Sequence, residues 1–213
     1  MDARTRPLRT SSALRLARQA WRLQYEDSAR SLAIGERALA RSQVYGDRHA
    51  EGWARLTRGF YLMRYASPSD AMHELALAHR LFDQTGDRVG GILAAIGNAR
   101  CRWLDGDSRG SLDRMMALRD EGLRRLPHAE RAMMLNVIAG CHSSLGESGA
   151  AFAYMYQALR EASPARGRGF DVVLMNNLGH ELLQLGDCAE ALDFLEEAIR
   201  RCERLVNPNL MGT

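Results

Sequence analysis

Five segments of this chain align at a constant offset of forty residues without a single gap, beginning at Asp27, Ser67, Asp107, Glu147 and Asp187. Four residues into each segment stands a small residue: Ser31, Ala71, Ser111, Ala151 or Ala191. Four later come Gly35, Leu75, Met115, Met155 and Leu195, and three after those Ala38, Ala78, Leu118, Ala158 and Ala198. A fixed period in the range of roughly 20–50 residues marks a stack of identical supersecondary units, none of which can bury its apolar face alone. Small residues at one place in every unit also have a mechanical reason, because two helices cross closely only where side chains are short.

Within each segment, apolar residues recur at three- and four-residue spacing, as on an amphipathic helix. Partner helices are predicted near 12–25, 48–64, 88–104, 129–145 and 169–185, with core faces such as Leu14/Ala17/Trp21/Tyr25 and Met175/Leu178/Leu182/Leu185. In the second unit the aromatics suggest a two-residue slip of this helix against the repeat. Gly106, Gly146 and Gly186 precede aligned segments, whereas Gly46 and Gly86 follow them, and each glycine is followed by Asp or Glu. A glycine stop followed by an acidic N-cap ends one helix and starts the next. Ser67-Pro68 is a further start, with proline in the first turn, where its missing N–H costs nothing. No segment reads as a strand. The expectation is an all-α chain of ten helices in five hairpins. Its repeats cover 12–51, 52–91, 92–131, 132–171 and 172–211, after a flexible segment 1–11 and before a truncated sixth unit at 212–213.

The 213 residues are 46% hydrophobic and 26% charged, within the ordinary globular range. All 29 basic residues are arginine, which excludes a phosphate-loop lysine or a Schiff-base lysine. Residues 1–64 hold 13 arginines against 6 acids, so the N-terminal end suits an acidic partner. These arginines alternate with core positions and form no continuous basic stripe, which disfavours nucleic acid. The first eighteen residues contain no apolar run of signal-peptide type, and no stretch suits a membrane span. Four cysteines without CxxC spacing (Cys101, Cys141, Cys188, Cys202) fit reduced thiols and a cytoplasmic location.

No motif points to catalysis. There is no GxSxG, no HExxH and no carboxylate pair at an acid–base spacing, so no enzyme, cofactor or metal is expected. His142 and His180 lie on first helices of adjacent units, where they could approach each other, although packing is the plainer reading. Gly90-Gly91, Gly97 and Arg166-Gly167-Arg168-Gly169 lack the strand that a phosphate-binding glycine loop requires, and read as turns and a close helix contact.

The last unit carries Leu178-Gly179, Leu182, Ala191, Leu195 and Ala198, and the fourth carries Ile138-Ala139, Ala151, Met155, Ala158 and Pro164. In type and spacing these resemble the tetratricopeptide repeat (TPR) family, with the first three units fitting mainly in their second helices. The resemblance implies a right-handed α-solenoid that binds peptides or proteins. Its usual unit is 34 residues; the forty here resemble the longer repeats of bacterial signalling proteins, including regulatory segments joined to transcription regulators or GGDEF diguanylate cyclases. The lack of a polar cap after 211 fits a chain that continues, or an end covered by another subunit.

In such solenoids the first helix of each unit lines the concave groove. Its non-core residues here are Arg15, Gln19, Arg22, Arg55, Arg58, Tyr61, Asn98, Arg102, Asn136, Ser143, Asn176, Asn177 and His180. Asn136 and Asn176, forty apart, are expected to project in parallel as an amide ladder for a peptide backbone. The arginines are expected to take carboxylates bidentately. The same residues also read as an ordinary solvated helix face. The chaperone-type clamp of this family needs lysine and cannot be assembled. The functional expectation is a non-catalytic peptide- or protein-binding input region of a signalling protein. The alternative is a self-association module that dimerises an output domain.

Overall fold

The computed structural model describes residues 11–163 and 169–204. Expectations for residues 1–10, Pro164, the turn before Gly169 and the 205–213 end lie outside the described residues. Among the described residues ten helices follow in order: α1 (Ser12–Leu23), α2 (Ser28–Tyr45), α3 (Arg48–Tyr65), α4 (Pro68–Thr85), α5 (Arg88–Leu104), α6 (Ser108–Arg125), α7 (His128–Ser144), α8 (Ser148–Ala162), α9 (Phe170–Leu185) and α10 (Cys188–Cys202). Among the described residues there is no strand. The even helices all start forty residues apart, and so do α3, α5 and α7. The two-residue slip expected in the second unit is therefore absent. Windows counted from residue 12 have the right period but end up to four residues inside the next helix; the hairpins themselves begin at 12, 48, 88, 128 and 170.

The helix boundaries follow from their caps. Asp27, Asp47, Ser67, Asp87, Asp107 and Asp187 each accept the backbone N–H three residues on, satisfying a donor the helix cannot. Glu147 makes no such bond, because its longer side chain is held instead by His142 and Arg109. Gly46, Gly86, Gly106, Gly146 and Gly186 all have left-handed φ, from 64° to 96°, which a β-carbon would strain.

The crossing points are equivalent along the stack. Ser31, Ala71, Ser111, Ala151 and Ala191 are all buried. Opposite them the odd helices also carry small residues. A β-carbon on Gly59 would lie 3.5 Å from the carbonyl oxygen of Ala71, and one on Gly179 3.3 Å from that of Ala191. Where the crossing residue is serine, its hydroxyl donates to the facing backbone: Ser31 to Ala20 O at 2.8 Å and Ser111 to Ala99 O at 2.9 Å. These two bonds differ by one residue in span, so α1 is shifted by one against the repeat and Ala20, not Gln19, takes the crossing position.

The odd helices pack on one another as well as on their partners, and form an inner layer. The even helices pack mainly on flanking odd helices and form a splayed outer layer. Hydrogen bonds step from unit to unit: Trp53 Nε1 to Asp87 at 2.8 Å, Trp103 Nε1 to Ser144 at 2.8 Å and Ser143 to Glu181 at 2.7 Å. The stack also curves. Trp21 Nε1 on α1 donates to Glu130 on α7 at 3.0 Å, and the Tyr25 ring lies 5.0 Å from that of Phe170 on α9. The first hairpin thus meets the fourth and fifth across the inner layer. One expected core position fails: Leu185, at the last turn of α9, is 57% exposed.

Candidate functional site

The inner face has two unlike ends. Towards the N-terminus, Arg18, Trp21, Arg22, Trp53, Asp87 and Glu130 surround a groove of about 360 Å³. Trp21 stands edge-on to both Trp53 and Phe60, and the Arg18 guanidinium lies 5.5 Å from the Trp53 ring centre. Asp87 anchors this end. Burial pushes its carboxyl up, but bonds to His49, the Gly90 N–H and Trp53 outweigh that and hold it at about 2. It is therefore ionised at neutral pH. Because it also caps α5, one carboxylate fixes both the helix start and the tryptophan that walls the groove.

Towards the C-terminus, α5, α7 and α9 bring Arg100, Asn136, Ser143, Asn177, His180 and Glu181 around a pocket of about 180 Å³. Asn177 Nδ2 donates to Asn136 Oδ1 at 3.1 Å, and the Ser143 hydroxyl donates to the buried Glu181. His180 is exposed, so its imidazole is open to a partner. Between the two ends, Arg64 Nη2 donates to the Gln24 carbonyl at 3.0 Å while its guanidinium lies 4.4 Å from the Tyr25 ring centre. Burial pushes this guanidinium down, and Arg100 is near enough to add repulsion. Arg64 Nε and Nη1, Arg100 Nε, Gln24 Oε1 and Tyr25 OH are all buried without a hydrogen-bond partner among the described residues. Orphaned buried polar atoms cost free energy unless something completes them.

Of the thirteen residues expected in the groove, the structure gathers Asn136, Ser143, Asn177 and His180 in one pocket and places Arg22 at the other end. Asn136 and Asn176 do not form the expected parallel ladder. Both are buried, in the column that Leu56 and Ile96 fill in earlier units, and the observed amide pair is Asn136 with Asn177. Arg55 and Arg58 turn towards the outer layer and pair with Glu74, Arg55 at 3.0 Å. Asn98 and Arg102 line a crevice between α4 and α6. Tyr61 packs its ring 4.7 Å from Tyr65. Arg15 and Gln19 are exposed.

The physical reason is helix phase. An inner-layer helix has two strips that tolerate polar residues, one on the inner face and one at the edge of the outer crevices, and polarity does not distinguish them. Arg100, Glu181 and Arg64 were missed by the sequence reading, which placed Trp21 and Trp53 in the core, where they are buried, but not as the wall of a groove. A signal for Arg100 existed, since it shares a column with Gly140 and His180 at forty-residue spacing.

His142 and His180 are not brought together. His142 stacks on Tyr154 with ring centres 5.4 Å apart and bonds Glu147. Cys101 and Cys141 are buried free thiols, pushed up by burial to about 11 and about 12. Among the described residues, no group of His, Cys, Asp or Glu could hold a metal ion, and no helix is long and apolar enough to cross a membrane.

No curated protein matches the chain. Residues 128–204, which contain α7 to α10, match the family model of the tetratricopeptide repeat. The fold is thus a TPR-like all-α solenoid of helix hairpins, an architecture that serves protein–protein interaction and is typically non-catalytic, with the family's sequence pattern present in the fourth and fifth hairpins.

Proposed function

We propose that the inner face captures an extended peptide or protein segment, with its polar end reading backbone amides and carboxylates. The observation that carries this reading is the run of buried, unpartnered polar atoms from Gln24 and Tyr25 through Arg64 to Arg100, which opens into the pocket of Asn136, Asn177 and His180. A bound carboxylate would accept from Arg100 and Arg64, and the asparagine amides would pair a peptide's N–H and C=O groups. In this reading the module is the regulatory input region of a larger bacterial signalling protein acting in the cytoplasm, upstream of a diguanylate cyclase or transcription-regulator output. Small changes at each unit interface add along a solenoid, so a segment bridging α1 and α9 would alter the curvature of the stack.

The test is a displayed library of peptides with free C-terminal carboxylates, followed by affinity measurement on the selected sequences. Arg100→Glu is expected to weaken binding by about tenfold, the scale of a lost charge-assisted contact, and Asn177→Ala by about threefold to tenfold, the scale of a lost neutral hydrogen bond. Selected peptides that bind both variants as tightly as the parent would overturn the reading.

A second reading has its own observation. Leu183, Leu185, Leu192 and Ile199, on the last hairpin, are 43% to 57% exposed. Exposed leucine and isoleucine side chains in this number suit self-association through that end. Sedimentation of the wild type against Leu192→Glu decides it: a dimer dispersed by the substitution supports this reading, and a monomer at high concentration removes it.

A further inference from the structure

The repeat supplies its own controls for the outer crevices, each formed by one odd helix and the two even helices that flank it. In the first, α2–α3–α4, Arg55 and Arg58 fill the space and pair with Glu74 and Glu36. In the third, α6–α7–α8, Tyr154 stacks on His142, reaches Met116 with its hydroxyl and lies 5.9 Å from the Arg119 guanidinium. In the fourth, α8–α9–α10, Met155, Leu178 and Leu182 form an apolar cluster closed by Phe152 and Phe194.

The second crevice, α4–α5–α6, stays open, with a volume of about 680 Å³. Its emptiness is written in the sequence. Ala95 stands where the other units have Arg55, Leu135 and Met175, and Asn98 stands where they have Arg58, Ile138 and Leu178. Arg114 replaces Glu74, Tyr154 and Phe194. Truncating the filler at two positions and placing a cation at the third turns a packed seam into a trough.

The floor of the trough is apolar: Ala76, Ala95 and Ala117 are short enough for a backbone to approach, alongside the larger Met72 and Leu118. Its rim is basic. Arg102 is paired with Asp107 at 3.3 Å and His79 with Asp83 at 3.0 Å, both at exposed positions. Arg80 and Arg114 have no ion-pair partner among the described residues. The flanking helices α4 and α6 lie on either side of α5, and a trough between two helices is the shape that a third helix fills.

We infer that this crevice is a second binding site, distinct from the inner face, for an acidic amphipathic helix of a partner protein. Its apolar stripe would lie on the alanine floor, with carboxylates at the rim against Arg80 and Arg114. Guanidinium forks take carboxylates bidentately, which sets the sign and spacing of the partner's charges.

The experiment uses the full chain and a fluorescein-labelled helical peptide with leucines along one face flanked by glutamates, followed by anisotropy. A counterpart with glutamine for every glutamate separates charge from apolar burial. The acidic peptide is expected to bind, and the glutamine peptide to bind about tenfold more weakly, in line with two lost charge-assisted pairs. Arg80→Glu combined with Arg114→Glu should give a similar loss. Ala95→Leu with Asn98→Ile, which restores the filler seen in α7, should abolish binding while leaving the thermal midpoint equal or higher. Arg100→Glu should leave it unchanged, so failure at the inner face remains distinguishable. Absence of binding by the acidic peptide, equal binding of both peptides, or unaltered binding to the refilled variant would each overturn the inference. So would a concentration-dependent dimer that the Arg80/Arg114 variant disperses, since the occupant would then be a second copy.

Discussion

The first two hairpins and the last two both cross at small buried residues but present opposite chemistry on the inner face. At the N-terminal end Trp21 packs edge-on to Trp53 and Phe60, and α1 reaches α7 while Tyr25 in the turn after it reaches α9. At the C-terminal end, amides, an imidazole and a buried carboxylate surround a pocket. The backbone arrangement is therefore set by the small residues at the crossings and by the caps, while the exposed columns are free to diverge. The family model accordingly matches 128–204, while the even helices keep their forty-residue spacing along the described stack.

Substitutions can break this comparison at either end. The largest effect is expected at Trp21. Trp21→Ala removes a buried indole and leaves Glu130 unpaired, and should cost about 3–5 kcal/mol in urea unfolding, whereas His180→Ala at the polar end should stay within about 0.5 kcal/mol. Similar losses from the two would show that α1 contributes nothing by leaning across.

The shared crossings give the next prediction. Ala71→Leu and Ala151→Leu force bulk between helices at equivalent buried points, and both should cost about 1–3 kcal/mol. A large loss at one site with none at the other would deny that the units are equivalent.

Asp87 sharpens the contrast further. Asp87→Ala removes the cap of α5 and the acceptor of Trp53, with an expected loss of about 2 kcal/mol. The pH dependence has a definite sign. The folded carboxyl sits at about 2 against an ordinary 3.8. Its contribution is therefore complete above the ordinary value and is lost as pH falls through the folded one. Stability should drop between about pH 4 and 2, and Asp87→Asn should flatten that drop. The smallest effect is chemical: Cys188 is exposed and should react with maleimide in the native state without loss of structure, while Cys101 and Cys141 should react only on unfolding.

Much of the fold was legible in the sequence because the repeat is written in residues that geometry makes unavoidable. The small crossing residues, the acidic caps and the stop glycines all fell where expected. The site was less legible. Asn136 and Asn176 are polar residues in a core column, and Arg55, Arg58, Asn98 and Arg102 point to the outer crevices; neither fact follows from amphipathicity alone. The one-residue shift of α1 was hidden too. It shows only in the bond from Ser31 to Ala20 O, one residue shorter in span than that from Ser111 to Ala99 O.

The central claim is that five hairpins stack through small crossing residues and curve until the first meets the fifth. Its most direct test is a double-mutant cycle between the turn that follows α1 and the start of α9. Tyr25→Ala, Phe170→Ala and the pair together are compared by urea unfolding. The curved stack predicts a coupling energy of about 0.5–1.5 kcal/mol, since the native rings lie 5.0 Å apart. Losses that simply add in the double variant would contradict it.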